Sequence, residues 1–407
     1  MLALVAIMVI LLAWGLVAGR LAKWSVTAPI AMVVAGTVLT AGANPVFTID
    51  LDTASVERAV EVVLAVLLFV DATEVRGGML GARPKLTLRL LLIALPLSLV
   101  VAVLVGAIVF PAENVWLLAV MATVVMPTDL APAVAVVRDR RVPGWLRHLL
   151  NVESGYNDGA VAPIFLFCLA AAPTREGESP DLGALLSAVP ALVGAVVVGV
   201  AVGWPAGWLL KRAYAWEWTQ PSALRLAVLA LPIIAYGLAN VVNGNGFVAA
   251  FVAGILFAPA TRHLPADALH FAEDTGTLLG LFIWFIFGRL ITETLFDGTT
   301  IAIAVYALLV ISVARVLPVM LSLVRTDVPR VDRLFLGWVG PRGLASIVFG
   351  LLAYINLPAP TNGLVGEVMV ITVLASVVLH GLSYSPIVRA YGRRGQAQVD
   401  TTGARPG

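Results

Sequence analysis

The sequence predicts an all-α protein that crosses a membrane many times, on the basis of its composition, its long apolar segments and the sidedness of its positive charges. Hydrophobic residues make up 60% of the 407 residues and charged residues 12%, whereas soluble domains have about 45–50% and about 25%. A soluble core of this length could not bury so much apolar surface, so lipid is the expected solvent. Membrane-spanning chains form helices or closed barrels, and long apolar runs without two-residue alternation favour helices.

The apolar segments predict about thirteen transmembrane helices, since each segment is roughly 15–28 residues long and can cross a hydrocarbon core. Residues 1–391 are expected to form a single transmembrane unit, followed at 392–407 by a short, disordered cytoplasmic tail. The centres of the predicted spans lie near Met8, Val33, Val66, Leu97, Ala122, Asp158, Val197, Leu231, Phe251, Leu281, Leu308, Ser346 and Ala375.

The positive charges indicate the direction of these spans. If the loops alternate from an outside N-terminus, 21 of the 26 Lys and Arg residues fall on one side, and the opposite loops are mainly acidic. Basic loops of membrane proteins face the cytoplasm. The sequence therefore predicts a multi-pass protein of the cell (inner) membrane, with its N-terminus outside and its C-terminus in the cytoplasm.

Two predicted spans are interrupted by proline. Span five contains Met126–Pro132, in which two prolines flank Thr128 and Asp129, and span twelve contains Gly340–Gly343 with Arg342 inside it. Proline removes a backbone donor and clashes with the preceding turn, so each helix is expected to unwind there. An odd span count with matching breaks seven spans apart predicts two inverted six-helix repeats, with spans five and twelve as crossed discontinuous helices.

Span six presents four oxygen-bearing side chains on one helical face. Glu153 and Asn157 are four residues apart, as are Ser154 and Asp158, so the two pairs lie on adjacent strips of the helix. Carboxylate, hydroxyl and amide oxygens suit hard cations such as Na⁺, Li⁺ or K⁺. Since no cluster of histidines or cysteines supports this site, we expect neither a transition metal nor a cofactor.

Asp158 is the residue that we expect to bind a proton or an alkali cation. An ionised carboxylate at the membrane centre costs at least about 2.5–3.5 kcal/mol, and no basic residue adjoins Asp158 to offset this cost. Burial favours the neutral form of a carboxyl group, so a cation that binds there must displace the proton. We expect Ser154, Thr128, Asp129 and Asn157 to complete the cation shell or to hold it in place.

Other charged residues within the predicted spans have competing interpretations. Glu153 is expected to form a structural ion pair with Arg342 at the break in span twelve, because a second carboxylate would oppose ionisation of the first. Asp129 could cap the broken helix or contact the ion, and Asp71 could contact the ion or lie at a helix end near the interface. Arg315 is expected to be structural or to reach the interface from a helix end.

With these residues, the sequence resembles the monovalent cation:proton antiporter superfamily, in the branch of bacterial sodium/proton antiporters and animal sodium/proton exchangers. The resemblance covers nearly the whole membrane chain and is most specific at Glu153–Asp158 in span six. Other matching segments are Thr128 and Asp129, Gly340–Gly343, the acidic stretch Phe69–Ala72 and the apolar stretch Asn245–Gly254. Two departures concern the ion shell, since Leu130 stands where many relatives have proline and Asp71 is shorter than the glutamate of some relatives.

This resemblance implies a homodimeric transporter with a dimerisation domain and a moving core domain that contains the crossed broken helices. It implies elevator-like alternation of access, with Asp158 as the ion and proton site and Thr128, Asp129 and Ser154 around it. An Asn157–Asp158 pair implies electroneutral, one-for-one exchange of Na⁺ (or Li⁺) for H⁺. The expected partners are a second copy of the chain and membrane lipid, with no nucleic acid.

Three alternatives were weighed on the same residues. Exchange of K⁺ for H⁺ by the same fold stays open, because the ligand set does not fix the size of the ion. An intramembrane hydrolase built on Ser154 and Glu153 is not supported, because no histidine lies in a span near Ser154 to activate it. A channel would require rings of like charge or a carbonyl filter, and the sequence shows neither. A transporter is therefore favoured over an enzyme.

Overall fold

Among the residues that it describes, the computed structural model contains fourteen helices and no strand. The described residues are 2–21, 27–41, 54–73, 81–130, 133, 139–172, 182–265, 267–297 and 300–403. Pro132, the second proline of the predicted break in span five, lies outside them, as do residues 404–407 of the predicted tail.

The helices follow one another in two sets of seven. The first set is α1 (Leu2–Leu21), α2 (Ala28–Thr40), α3 (Ala54–Thr73), α4 (Pro84–Val109), α5 (Val115–Val125), α6 (Gly144–Ala171) and α7 (Leu182–Ala215). The second set is α8 (Pro221–Val241), α9 (Gly246–Thr261), α10 (His270–Asp297), α11 (Ile301–Ser322), α12 (Arg330–Trp338), α13 (Leu344–Asn356) and α14 (Thr361–Gly403).

The all-α prediction is confirmed for the described residues, and each predicted span centre lies inside one of these helices. In the described part of the chain, six helical segments are long and apolar enough to cross a membrane, and they lie within α4, α7, α8, α10, α11 and α14. The count of thirteen spans and the inverted repeat stay predictions.

The helices pack in two groups. The scaffold group is α1–α3 with α7–α10, and the core group is α4–α6 with α11–α14. Glycines allow the closest approach within the scaffold group, because a Cβ on Gly36 of α2 would meet the Phe285 carbonyl and one on Gly288 of α10 would meet the Val33 carbonyl. The Thr37 hydroxyl donates to the Gly288 carbonyl at 2.9 Å across the same contact. The helices that face the core group are thus fixed to one another.

The apolar helix α9 holds α3 in position. Its start is capped by Asn245, whose side-chain oxygen accepts from the N–H groups of Phe247 and Val248 at 3.1 Å each. Further along α9, a Cβ on Gly254 would lie 2.6 Å from the Phe69 carbonyl oxygen of α3. This close contact lies two residues from Asp71, so α9 sets where that carboxylate lies.

Helix α11 is interrupted at Ser312, where φ is −95° and ψ is −77°. The Ser312 hydroxyl donates to the Leu308 carbonyl at 2.6 Å, a local bond that bends helices. Pro318 in the second half lacks the N–H that would continue the helical ladder. The bent second half carries Arg315, which is buried.

The last helix is longer than the sequence predicts. A disordered tail was expected from residue 392, but the backbone of α14 is helical to Gly403. Helix nucleation is unfavourable whereas each added residue contributes one hydrogen bond. Polar residues can therefore extend a span that has already formed, although they would not nucleate a helix alone.

Candidate ion-binding site

Two interrupted segments of the core group lie against each other. After α5 ends at Val125, residues 126–130 are not helical, and residues 339–343 separate α12 from α13. The Asp129 N–H donates to the Pro341 carbonyl at 2.8 Å. The two predicted breaks therefore satisfy part of each other's backbone hydrogen bonding.

Asp129 also caps the start of α13, the helix that follows the second break. Its Oδ2 atom accepts from the Leu344 N–H at 3.0 Å, at a helix start where N–H groups lack partners and the helix dipole favours an anion. Gly343 provides the space, because a Cβ there would lie 2.6 Å from the Asp129 Cβ and 2.7 Å from its Cγ. The sequence left capping and ion contact open for Asp129, and the structure shows the capping bond.

Ser154 and Asn157 of α6 bind the first break through Thr128. The Ser154 hydroxyl donates to the Thr128 carbonyl at 2.9 Å. The Asn157 side-chain amide donates to the same carbonyl at 3.2 Å and also to the Thr128 hydroxyl oxygen. Both oxygens of Thr128 thus accept hydrogen bonds from α6. Thr128 and Asn157 are buried, and their contact holds the first break against α6. They do not line the cavity described below.

Asp158 lies one turn beyond Ser154 on the same face of α6. The residue is only 6% exposed, and its Oδ1 atom is buried without a hydrogen-bond partner among the described residues. A buried polar atom without a partner is costly. A proton or a cation at this oxygen would remove that cost.

A cavity of about 510 Å³ lies between the two helix groups and reaches Asp158. Its core-group wall includes Asp158, Ser154 and Asp129. Its scaffold wall comes from α2, α3 and α10, and α3 contributes the half-buried Asp71. Asp71 both lines the cavity and lies in the last turn of α3, so its contact with an ion stays a prediction.

Sequence reasoning missed two cavity residues on α10, Glu273 and Thr277. They are four residues apart, which is the same spacing that indicated the polar face of span six. Glu273 lies in the first turn of α10 next to a polar loop, so its position alone did not separate it from an ordinary helix-end residue. Its spacing from Thr277 was the available signal.

The predicted pairing of Glu153 with Arg342 is wrong. Glu153 pairs with Arg315 of α11 through two parallel bonds of 2.8 Å each, and both side chains are 2% exposed. Arg315 lies in the half of α11 beyond the bend, and neither Glu153 nor Arg315 lines the cavity. An arginine fork matched to a carboxylate is the strongest arrangement for such a pair.

Arg342 instead holds the second break together. Its guanidinium donates to the Gly340 carbonyl at 2.8 Å and contacts the Met126 sulfur at 3.9 Å. It forms no salt bridge with any described residue. Since Met126 begins the first break, Arg342 links both breaks, which is a structural role with a different partner from the one expected.

His380 of α14 completes this structural network and was not singled out from the sequence. One ring nitrogen lies 3.0 Å from the Ser376 hydroxyl, and the other lies 2.9 Å from the Trp338 carbonyl at the end of α12. The Ser376 oxygen accepts from the Arg342 N–H at 2.8 Å. Helix α14 thereby anchors the second break through Ser376 and His380.

Within the described ranges, no three His, Cys, Asp or Glu side chains are grouped so that they could hold a metal ion. The cavity that Asp158 lines is also lined by two hydroxyl residues, one amide residue and three acidic residues, which are Ser154, Thr277, Asn151, Asp71, Asp129 and Glu273. A ligand set of hard oxygens with one central carboxylate suits a weakly held, transported alkali cation.

The chain is similar to known antiporters over most of its length. A family model described as sodium/hydrogen exchanger, transmembrane, matches residues 3–390. A Na⁺/H⁺ antiporter of Schizosaccharomyces pombe is 23% identical over 359 residues, which cover 80% of this chain and 76% of the relative. A K⁺/H⁺ antiporter of Alkalimonas amylolytica is 29% identical over 165 residues, which cover 40% of this chain and 28% of the relative.

Solved structures show the same fold. The sodium proton antiporter MjNhaP1 of Methanocaldococcus jannaschii superposes with a TM-score of 0.77 at 20% identity, covering 95% of this chain and 98% of that chain. An electron-microscopy structure of the same antiporter gives a TM-score of 0.71 at 18% identity, with 96% and 97% covered.

Proposed function

The chain belongs to the sodium/hydrogen exchanger family, and we propose that Asp158 is the residue at which it exchanges Na⁺ for H⁺. The chain is accordingly a multi-pass membrane antiporter. The observation that carries the proposal is the Oδ1 atom of Asp158, a residue that lines the cavity; this atom is buried and has no hydrogen-bond partner in the described part of the chain. That oxygen is available to a proton or to a cation.

The two ligands compete for one carboxylate. With a proton bound, Asp158 is neutral and can remain in a low-dielectric site. A Na⁺ ion in the cavity binds the carboxylate only after the proton leaves, and the hydroxyl oxygen of Ser154 lies one turn away to assist. On each side of the membrane one ligand leaves Asp158 and the other binds there before the site crosses again, and this replacement couples the two fluxes.

The exchange is electroneutral in this proposal. The proton-bound and the Na⁺-bound forms of Asp158 carry the same net charge, so one turnover moves no net charge. The neighbouring Asn157 is neutral and is occupied with Thr128, so it adds no second titrating group to the cycle.

The described conformation is proposed to face the cytoplasm. The cavity is lined by Ala28 at the start of α2 and by Asn151 near the start of α6. These residues closely follow the basic Lys23 and Arg147 in the sequence. Basic loops face the cytoplasm, so the cavity lies on that side, with the N-terminus outside and the C-terminus inside.

A contact at the other end of the helices supports alternating access. The Asn356 side chain at the end of α13 donates to Glu57 in the first turn of α3 at 3.0 Å. This bond joins the core group to the scaffold group away from the cavity. In an elevator-like cycle it would break when the core group moves and Asp158 becomes accessible from outside.

The assembly is proposed to be a homodimer within the cell (inner) membrane. Exposed apolar side chains follow α1 and α7, among them Leu16 and Val193. Apolar surface of this extent requires lipid or a second copy of the chain to cover it. Both are expected partners.

Exchange of K⁺ is the second candidate. A relative named as a K⁺/H⁺ antiporter matches 165 residues of the chain. The cavity of about 510 Å³ has room for a cation that keeps part of its water, so its size does not favour Na⁺ over K⁺.

The proposal is tested with purified protein in liposomes that carry a pH gradient. Addition of Na⁺ or Li⁺ should dissipate the gradient without creating a membrane potential, and the same assay with K⁺ decides between the two candidates. Absence of any cation-dependent pH change with Na⁺, Li⁺ and K⁺ would contradict the exchanger proposal.

A further inference from the structure

The scaffold wall of the cavity carries its own pair of oxygen ligands. Glu273 and Thr277 lie one turn apart on α10, and both line the cavity. Glu273 is half-buried, whereas its neighbour Asp274 is exposed and does not line the cavity. Two adjacent acids of α10 therefore have different surroundings.

Acidic residues line the cavity from both helix groups. Asp158 and Asp129 belong to the core group, and Asp71 and Glu273 belong to the scaffold group. No Lys, Arg or His side chain is among the described residues that line the cavity. A cleft of one charge sign with apolar walls concentrates counter-ions, so this cavity attracts cations.

The unpaired oxygen of Asp158 is the independent sign that a ligand uses this cavity. It is buried and has no partner among the described residues, and Asp158 lines the same cavity as Glu273. Glu273 and Asp158 thus line one continuous cavity. Glu273 lies in the first turn of α10, next to the loop that precedes this helix.

We propose that Glu273 and Thr277 form a recruiting subsite for a partly hydrated monovalent cation at the cytoplasmic mouth, before the cation reaches Asp158. This inference rests on the proposed function. The subsite belongs to the scaffold group, so it stays in place while the core group moves. Gly276 and Gly280 of the same helix also line the cavity.

The subsite predicts a specific kinetic effect. In everted membrane vesicles, where the cytoplasmic face is outside, Glu273→Gln should raise the KM for Na⁺ about threefold or more at low ionic strength. The maximal rate should stay unchanged, because Asp158 remains intact. The effect should shrink at high ionic strength, since salt screens exposed charges. Thr277→Val should raise the KM in the same direction by a smaller factor.

Asp274→Asn is the matched control, because it removes the same charge from the next residue, outside the cavity. It should leave the KM near that of the wild type. Right-side-out vesicles provide a second control, since Glu273→Gln should leave the KM from the outer side unchanged.

The outcomes separate the two proposals. No exchange by the wild-type protein would contradict the proposed function itself. Wild-type exchange with equal KM values for Glu273→Gln and Asp274→Asn would overturn only the subsite. A loss of maximal rate without a change in KM, or an equal KM change from both sides, would overturn it as well. Binding of ²²Na⁺ to detergent-purified protein, weakened in Glu273→Gln but not in Asp274→Asn, would support it without reference to transport.

Discussion

Glu153 of α6 and Arg315 of α11 form a bidentate ion pair of 2.8 Å, with both side chains 2% exposed. The pair lies on the strip of α6 adjacent to Ser154 and Asp158. It therefore fixes the rotation of the helix that presents the proposed ion site. The ion pair stabilises the geometry of the core group, and neither of its residues lines the cavity.

Breaking this pair should destabilise the protein. Because removal of one partner leaves a buried charge without compensation, Arg315→Met should cost about 3–5 kcal/mol of unfolding free energy. Glu153→Gln should also destabilise, and a double-mutant cycle should give a large coupling energy. Thermal unfolding of the purified variants measures these changes.

A second double-mutant cycle, which combines Glu153→Gln with Arg342→Met, is the control for the pairing. Since Arg342 donates to the Gly340 carbonyl and forms no described salt bridge with Glu153, its coupling energy should be smaller than that with Arg315. A larger coupling to Arg342 than to Arg315 would contradict the pairing.

Gly343→Ala should disrupt the meeting of the two breaks. A Cβ at this position would lie 2.6 Å from the Asp129 Cβ, so Asp129 would have to move and lose its bond to the Leu344 N–H. We expect a lower thermal midpoint and a loss of most exchange activity. Gly363→Ala is the control, because a Cβ there would meet nothing within 4 Å; equal effects of both variants would argue against the predicted clash.

Ser154→Ala should weaken cation binding moderately. The hydroxyl donates to the Thr128 carbonyl and lines the cavity, and the net value of one such bond is about 0.5–1.5 kcal/mol. The KM for Na⁺ should therefore rise about 2- to 10-fold, as measured in liposomes. Ser98→Ala serves as control, since the Ser98 hydroxyl is buried without a partner in the described structure and is not on the cavity. A KM unchanged by Ser154→Ala would remove the serine from the proposed shell.

Protons should compete with Na⁺. At pH values below the pKa of Asp158, each unit of acidification should raise the apparent KM for Na⁺ about tenfold, because the protonated carboxyl group cannot bind the cation. Above that pKa the KM should be constant, and saturating Na⁺ should restore the rate. A pH dependence of the maximal rate alone, with constant KM, would contradict competition at one carboxylate.

Asp139→Asn is a control for this pH profile. The adjacent Arg141 side chain hydrogen-bonds to Asp139 and lowers the pKa of that carboxyl group to about 2. Asp139 therefore stays ionised throughout the neutral range and cannot shape the profile. A shifted profile in this variant would show that groups outside the cavity contribute.

The sequence located the polar face of α6 because helical periodicity decides which side chains share a face. It could not decide which neighbour each face meets. Arg342 was expected near Glu153 because it lies at the break in span twelve, and Arg315 was expected to be structural or to reach the interface. The structure pairs Glu153 with Arg315, a contact between α6 and α11 that the spacing within either helix does not encode.

The prolines predicted the positions of the two breaks because their effect on the backbone is also local. The breaks fall where Pro127 and Pro341 interrupt the helices, since the effect of proline is confined to its own turn. The cavity position of Glu273 depends on how α10 packs beside α2 and α3, a tertiary relationship that its spacing from Thr277 does not reveal. The helical extension of α14 to Gly403 likewise depends on the helix that precedes it.

The central claim is that Asp158 alone carries the proton or the cation. The most direct test is Na⁺-dependent proton exchange by Asp158→Asn in liposomes, alongside wild type and the exposed Asp274→Asn control. The isosteric amide should leave the protein folded, with a thermal midpoint near that of the wild type, and should abolish exchange with every alkali cation. Exchange by folded Asp158→Asn at the wild-type rate would contradict the account.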